Sequence, residues 1–175
     1  MDFKEVIEKR RSTRKFEERP VDRATAERLM QAALTAPSAR NTRSTRIIAT
    51  DDRDTIVRMA SMRDYGSAFV KNAPLVFIVA GDTAACDLWV DNAAIAATIL
   101  QLAAVDEGLA SCWVHVNGRP HLKEDPSAGT AEQYLRGFVD LPEGWRILCL
   151  VAAGYAASAP APLPEHDDSG SMGWL

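Results

Sequence analysis

The 175-residue chain carries 47% hydrophobic and 25% charged residues, the balance of one globular domain rather than of a disordered or fibrous chain. Its formal net charge of -4 gives no global positive field, which argues against nucleic acid as a partner. No membrane span or secretory leader is expected, and a cytoplasmic address is. The most apolar stretch, residues 93–104, is interrupted by Thr98 and Gln101, and the first residues lack a basic segment leading into an apolar run.

In chain order, Asp2 can cap a helix in which Phe3, Val6 and Ile7 share a face, with Glu5 in capping-box position. That helix runs into Arg10-Arg11. Pro20-Val21-Asp22 opens a second helix with Leu29, Ala33 and Ala36 at helical spacing, and Pro37 stops it. A loop over 37–44 follows, then a β-branched strand over 45–50 and a short helix capped by Asp52. Residues 73–80 form a continuous apolar run of strand length between Pro74 and Gly81-Asp82, as a central strand would. Residues 84–107 read as a helix apolar on most sides, closed by Gly108. A strand over 111–116, a helix over 130–139 and a last strand over 147–153 complete the series. Helices and strands do not alternate strictly, which favours an α+β fold with a mixed central sheet flanked by helices. The tail, residues 156–175, holds too little apolar content for its own core, leaving residues 1–155 as the domain.

Arg10, Arg11, Ser12, Thr13 and Arg14 place three guanidinium groups and two hydroxyls within five residues. Arginine presents a rigid fork of donors to phosphate or carboxylate oxygens, so the cluster is a candidate anion grip. Composition alone fits a solvated basic helix end equally well. The loop Pro37-Ser38-Ala39-Arg40-Asn41-Thr42-Arg43 is small and amide-bearing and lets backbone approach a ligand, as an ordinary connection also would. Cys112 and His115 stand three apart in a strand, hence on opposite faces, and do not make a nucleophile and base pair. His115, His121 and His166 show no ligand spacing, and no metal site is expected. Cys86, Cys112 and Cys149 lack a C-x-x-C pair and read as buried free thiols. No Rossmann, Walker or nucleophile-elbow motif occurs.

Taken in order, the motifs resemble the nitroreductase family of FMN-dependent NAD(P)H oxidoreductases over nearly the whole chain. Arg10-Arg11-Ser12-Thr13-Arg14-Lys15-Phe16 matches R-R-S-x-R-x-F, and Ala36-Pro37-Ser38-Ala39-Arg40-Asn41 matches A-P-S-A-x-N. Asn72-Ala73-Pro74 precedes a strand, and the alanine-rich helix carries an early Asp91. Gly108-Leu109-Ala110-Ser111-Cys112-Trp113-Val114-His115 compares with G-L-G-x-C-W-I-G, and Leu141-Pro142-Glu143-Gly144 with Gly154-Tyr155 closes the series.

The resemblance implies a nitroreductase-like fold and an intertwined homodimer with FMN at its interface. Arg10, Arg11, Ser12 and Arg14 would meet the flavin's phosphate, ribityl chain and pyrimidine edge. Pro37, Ser38, Ala39, Asn41 and Arg43 would reach in from the partner subunit, and Trp113, Val114 and His115 would pass along the ring. NADH or NADPH would supply hydride and a nitroaromatic, quinone or similar small acceptor would receive it, in ping-pong order and without a catalytic side chain. The tail would wrap on the partner.

Three departures stand out. Arg43-Ser44-Thr45 replaces the family's Q-P-W, and His115 replaces a glycine. No Lys or Arg follows Arg146, leaving Arg10, Arg11, Arg40 or Arg43 to compensate. These departures also suit a flavin-binding or sensory protein of the same fold with little turnover.

Overall fold

The structure, a computed structural model, describes residues 1–161 and 164–174. Nine regular elements follow one another among them: α1 (Phe3–Lys9), α2 (Arg23–Ala33), β1 (Thr45–Thr50), α3 (Arg53–Ala60), β2 (Leu75–Asp82), α4 (Trp89–Asp106), β3 (Ala110–His115), α5 (Ala131–Arg136) and β4 (Trp145–Gly154). The strands lie in the order β1-β2-β4-β3. The three pairings are antiparallel, where a mixed sheet was expected. Among the described residues, parallel pairing is confined to an isolated bridge between Ser12 and Ser111. The expected α+β class stands.

The apolar run predicted for residues 73–80 is the interior strand β2, shifted two residues onward. Its even and odd side chains enter different cores, which explains why its hydrophobicity does not alternate. Val76, Ile78 and Ala80 pack with Ile56, Met59, Val70 and Leu135 on the α3/α5 face. Leu75, Phe77 and Val79 pack with Leu29, Ala33, Ala97 and Leu100 on the α2/α4 face. A bulge in β4 between the partners of Val79 and Ala80 leaves Leu148 unpaired. Leu148 and Cys149 thereby both face α2 and α4. Cys86, Cys112 and Cys149 are free and buried, as read from their spacing.

The helix ends differ in places from the expectations. Asp2 accepts the Glu5 N–H at 2.9 Å, but the Glu5 carboxylate pairs with Lys9 instead of closing a capping box. Only Val6 of α1 is buried, while Phe3 and Ile7 are 72% and 48% exposed. Asp22 and Asp52 cap α2 and α3 as expected. The long helix starts at Trp89 rather than at residue 84, because the Asp82 carboxylate takes the N–H groups of Ala84 and Ala85 and folds that stretch into a turn. Gly108 ends it at φ +74°, which L side chains rarely adopt. Thr130 and Gln133 make a capping box at the start of α5, which ends three residues before the expected limit. Of the tail 156–175, residues 162, 163 and 175 lie outside the described residues. In the remainder, Ala156 bridges Phe16 and residues 169–171 form a 3-10 turn.

Candidate functional site

The end of α1 turns the basic cluster onto the sheet. Arg10 is the C-cap with extended backbone, φ -61° and ψ 117°, which sends the following residues along the open edge of β3. The Thr13 N–H donates to the Ser111 carbonyl at 2.9 Å, and the Glu17 N–H to the Tyr155 carbonyl at 2.9 Å. Arg10, Arg11, Ser12, Thr13, Arg14 and Lys15 face a cavity of about 650 Å³, shared with Pro160 and His166 of the tail. Arg14 lies 5.7 Å from the centroid of the Phe69 ring.

Two polar atoms at this bridge, Arg11 Nη1 and Ser111 Oγ, are buried without a hydrogen-bond partner. A buried donor left unpaired costs about 1–3 kcal/mol and more when charged, so the arrangement is one an anion would complete. Burial pushes the Cys112 thiol up, and the nearby Arg14 charge, the Ser12 hydroxyl and the Arg10 charge partly offset it. The thiol therefore stays protonated near neutral pH.

β3 is an edge strand, paired only with β4 among the named strands. Because the Ser111 carbonyl bonds outward to Thr13, alternation turns the peptide groups of Trp113 and His115 to that same free edge. Val114 differs from the other two. Its side chain is 3% exposed and packs in the α3/α5 core, and the same alternation turns its peptide group to β4. Trp113 and His115 share the opposite face, with ring centroids 6.1 Å apart and planes at 11°. The indole N–H donates to His115 Nδ1 at 3.3 Å. Burial, and then the charges of Arg119 and Arg63, hold the His115 imidazole below its ordinary pKa, leaving it neutral at pH 7.

The loop over 37–44 is shaped by a residue that the sequence pattern did not single out. Asn92, 3% exposed in α4, accepts the Ala39 N–H at 2.8 Å through Oδ1. Its Nδ2 donates to Ser44 Oγ at 3.0 Å and reaches Cys86 Sγ at 3.4 Å and Thr42 Oγ1 at 3.5 Å. The Ser38 hydroxyl accepts the Arg43 N–H at 2.9 Å, and Arg40 pairs with Asp87 at 2.6 Å. Arg40, Asn41 and Arg43 all have positive φ, at 54°, 52° and 48°. Such backbone costs about 1–3 kcal/mol per residue, and the Asn92 and Ser38 bonds offset it. Burial would raise the Cys86 thiol, but hydrogen bonds from Thr42, the Leu88 N–H, Arg40 and Asn92 bring it below the ordinary value.

Pro37, Ser38 and Arg43 line their own cavity of about 190 Å³ with Asn92 and Ala96. It lies at the start of α4. Arg11 and Thr13 line a different one, of about 460 Å³, with Val105, Gly108 and Leu109 at the end of that helix. Thirteen residues of helix between Asn92 and Val105 amount to about 20 Å. Within one chain, then, Arg10, Arg11, Ser12 and Arg14 come together with the edge of β3, whereas Pro37, Ser38, Ala39, Asn41 and Arg43 stand apart. Asp91, noted from its place in the motif series, is exposed, and its neighbour Asn92 does the organising. An amide in an alanine-rich helix was the available signal. Arg63 was missed as well: its Nη1 donates to the His115 carbonyl at 3.1 Å, a contact across 52 residues that leaves no local trace.

Comparison with known proteins gives concordant matches. A family model described as the nitroreductase family matches residues 7–63 and 56–155. A Methanothermobacter thermautotrophicus protein provisionally named NADH dehydrogenase/NAD(P)H nitroreductase is 31% identical, over 91% of this chain and 80% of its own length. Among solved structures, an FMN-dependent nitroreductase from Clostridium difficile superposes with a TM-score of 0.84 at 31% identity, over 94% of this chain and 92% of the other. A Parabacteroides distasonis protein, again provisionally named NADH dehydrogenase/NAD(P)H nitroreductase, gives 0.85 at 26% identity, over 97% of each chain. Among the described residues, no helix is long and apolar enough to cross a membrane.

Proposed function

Since the chain belongs to the nitroreductase family, an oxidoreductase family, we propose that it is an FMN-dependent enzyme that uses NADH or NADPH to reduce nitroaromatic, quinone or similar small acceptors. The observation that carries the reading is the pair of buried, unpartnered atoms Arg11 Nη1 and Ser111 Oγ at the end of an open sheet edge. They fit the phosphate and polar chain of FMN, whose oxygens would complete them.

In this reading residues 1–155 are the flavin-binding domain. Arg10, Arg11 and Ser12 hold the phosphate and ribityl chain, and Arg14 sets a fixed positive charge beside the pyrimidine edge. The outward N–H groups of Trp113 and His115 face the ring, and the paired Trp113 and His115 side chains exclude water from it. Bound FMN supplies the hydride chemistry, and no side chain of the protein needs to move a proton. Donor and acceptor take the same face in turn. Pro37, Ser38, Ala39, Asn41 and Arg43 complete the site from a second copy, since about 20 Å of α4 keeps them from the arginines of their own chain. The tail, part of which already lines the arginine cavity, runs along the partner.

An absorbance titration with FMN, run beside a mass measurement, tests the reading. Saturation at one flavin per subunit in a dimer, with NAD(P)H oxidation on adding menadione, is the expected result. A protein that takes up no FMN would overturn it, and one that binds flavin without turnover would reduce it to a flavin-binding protein.

A further inference from the structure

Two loops close over the end of β3 that lies away from Arg11. One, residues 61–67, is pinned by Ser67, whose hydroxyl bonds the carbonyls of Ala60 and Arg63 at 2.8 and 3.0 Å. The other, residues 117–130, is tied to the first. His121 Nδ1 lies 2.8 Å from the Met62 carbonyl, the Asp64 N–H donates to the His121 carbonyl at 3.1 Å, and the Lys123 N–H donates to the Asp64 carboxylate at 3.0 Å.

Each loop delivers an arginine toward His115. Arg63 donates to the His115 carbonyl at 3.1 Å and lies 4.1 Å from the centroid of the Tyr65 ring, while its Nε is buried with no partner. Arg119 is exposed, in a turn closed by its N–H on the Val116 carbonyl at 3.0 Å. Arg63 is fixed at His115 by that bond, and Arg119 by the turn that leaves the end of β3; both charges depress the His115 imidazole. His115 adds no charge of its own, and Asp64, the nearest acid in sequence to Arg63, is engaged by the Lys123 backbone.

We propose that Arg63 and Arg119 form an anion subsite that selects planar aromatic acceptors bearing a carboxylate. The inference rests on the flavin reading, in which the ring lies along Trp113 and His115. The rings of those two side chains lie near parallel, with planes at 11°. Their Cα atoms are about 7 Å apart along a strand, close to the length of a para-substituted benzene. An acceptor held by its carboxylate at Arg63 therefore brings its reducible group back along β3 toward the ring. A guanidinium fork suits a carboxylate better than a neutral amide.

The test compares 4-nitrobenzoate with the near-isosteric, uncharged 4-nitrobenzamide on the FMN-loaded protein, by calorimetric binding and by kcat/KM. The expected result is a preference for the benzoate of about tenfold or more, shrinking as salt screens the charges. Arg119→Gln and Arg63→Gln should each erode that preference, and Arg63→Lys should retain part of it. Should Arg63→Gln fail to fold because its bond to His115 is lost, the exposed Arg119→Gln decides. Equal binding of the two probes, or a preference that neither substitution touches, would overturn the subsite. Substitutions that raise KM for NADPH over NADH while sparing the probe ratio would assign the arginines to the donor's phosphate and overturn it too. A protein that binds flavin but does not oxidise NAD(P)H would sink the reductase reading separately, because calorimetry still reports the preference.

Discussion

Arg11, half-buried with its Nη1 enclosed, and the buried Asn92 make opposite predictions. Arg11 holds an unpaired donor, so Arg11→Ala removes a cost from the protein without FMN and a charge-assisted contact from the complex. FMN affinity should fall about tenfold or more, while the thermal midpoint of the flavin-free protein stays the same or rises. Asn92 is the reverse case, because its bonds are already made within the chain. Asn92→Ala should cost about 2 kcal/mol of stability and weaken FMN as well, since the 37–44 loop loses the contact that holds its positive-φ backbone. Calorimetric unfolding alongside flavin titration separates the two. His115 adds a pH dependence. Its folded pKa lies below the unfolded value, so the unfolded chain takes up the proton first as pH falls. Stability from this residue is therefore complete above about pH 6.5 and declines below it. Wild type should lose more of its thermal midpoint between pH 7 and 5 than His115→Gln does.

Helix α5 is the clearest case of a short element that positions others. Its six residues depend on the Thr130 and Gln133 capping box. They present Glu132, 4% exposed, to Arg146 Nε at 2.7 Å and to the Ile147 N–H at 3.0 Å, at the start of β4. Thr130→Ala should cost about 1 kcal/mol and increase hydrogen exchange at Ile147 before it does so in β2. That Arg146 is spent here on Glu132 also removes the last arginine of the chain from the anion site. Elements whose signal is local were legible in the sequence: β1 from its β-branched residues, β2 from its double-sided apolarity, α2 and α3 from their aspartate caps. What was not legible depended on longer reach. Helix α4 is shorter than its alanines suggest because one carboxylate, Asp82, captures two N–H groups of residues with high helix propensity. The antiparallel sheet order is settled by pairings across 26 to 78 positions, which no local pattern encodes. The arginine cluster and the 37–44 loop were singled out through ordered motifs. Arg63 and Asn92 act through contacts far apart in sequence, and only Asn92, an amide in an alanine-rich helix, left a trace.

On the scale of the molecule, several helices leave apolar side chains uncovered, among them Phe3 and Ile7 on α1, and Ile95 on α4 with Leu88 just before it. A second copy seated on the α4 face would bury them. Ile95→Glu should accordingly shift the protein toward monomer in sedimentation and lower its flavin content at the same protein concentration, with little change in the far-UV circular dichroism of the subunit. If flavin content stays full in a monomeric variant, the 37–44 loop is not a shared part of the site.

The length of α4 then has a consequence for how the protein behaves in a tube. When a ligand rests on two halves contributed by different chains, its binding and the association of those chains are one linked equilibrium. Colour becomes a function of protein concentration: serial dilution should bleach the preparation as FMN escapes from separating subunits, and excess FMN should pull the subunits back together. Any assay run at nanomolar enzyme would then report on the association constant as much as on the chemistry.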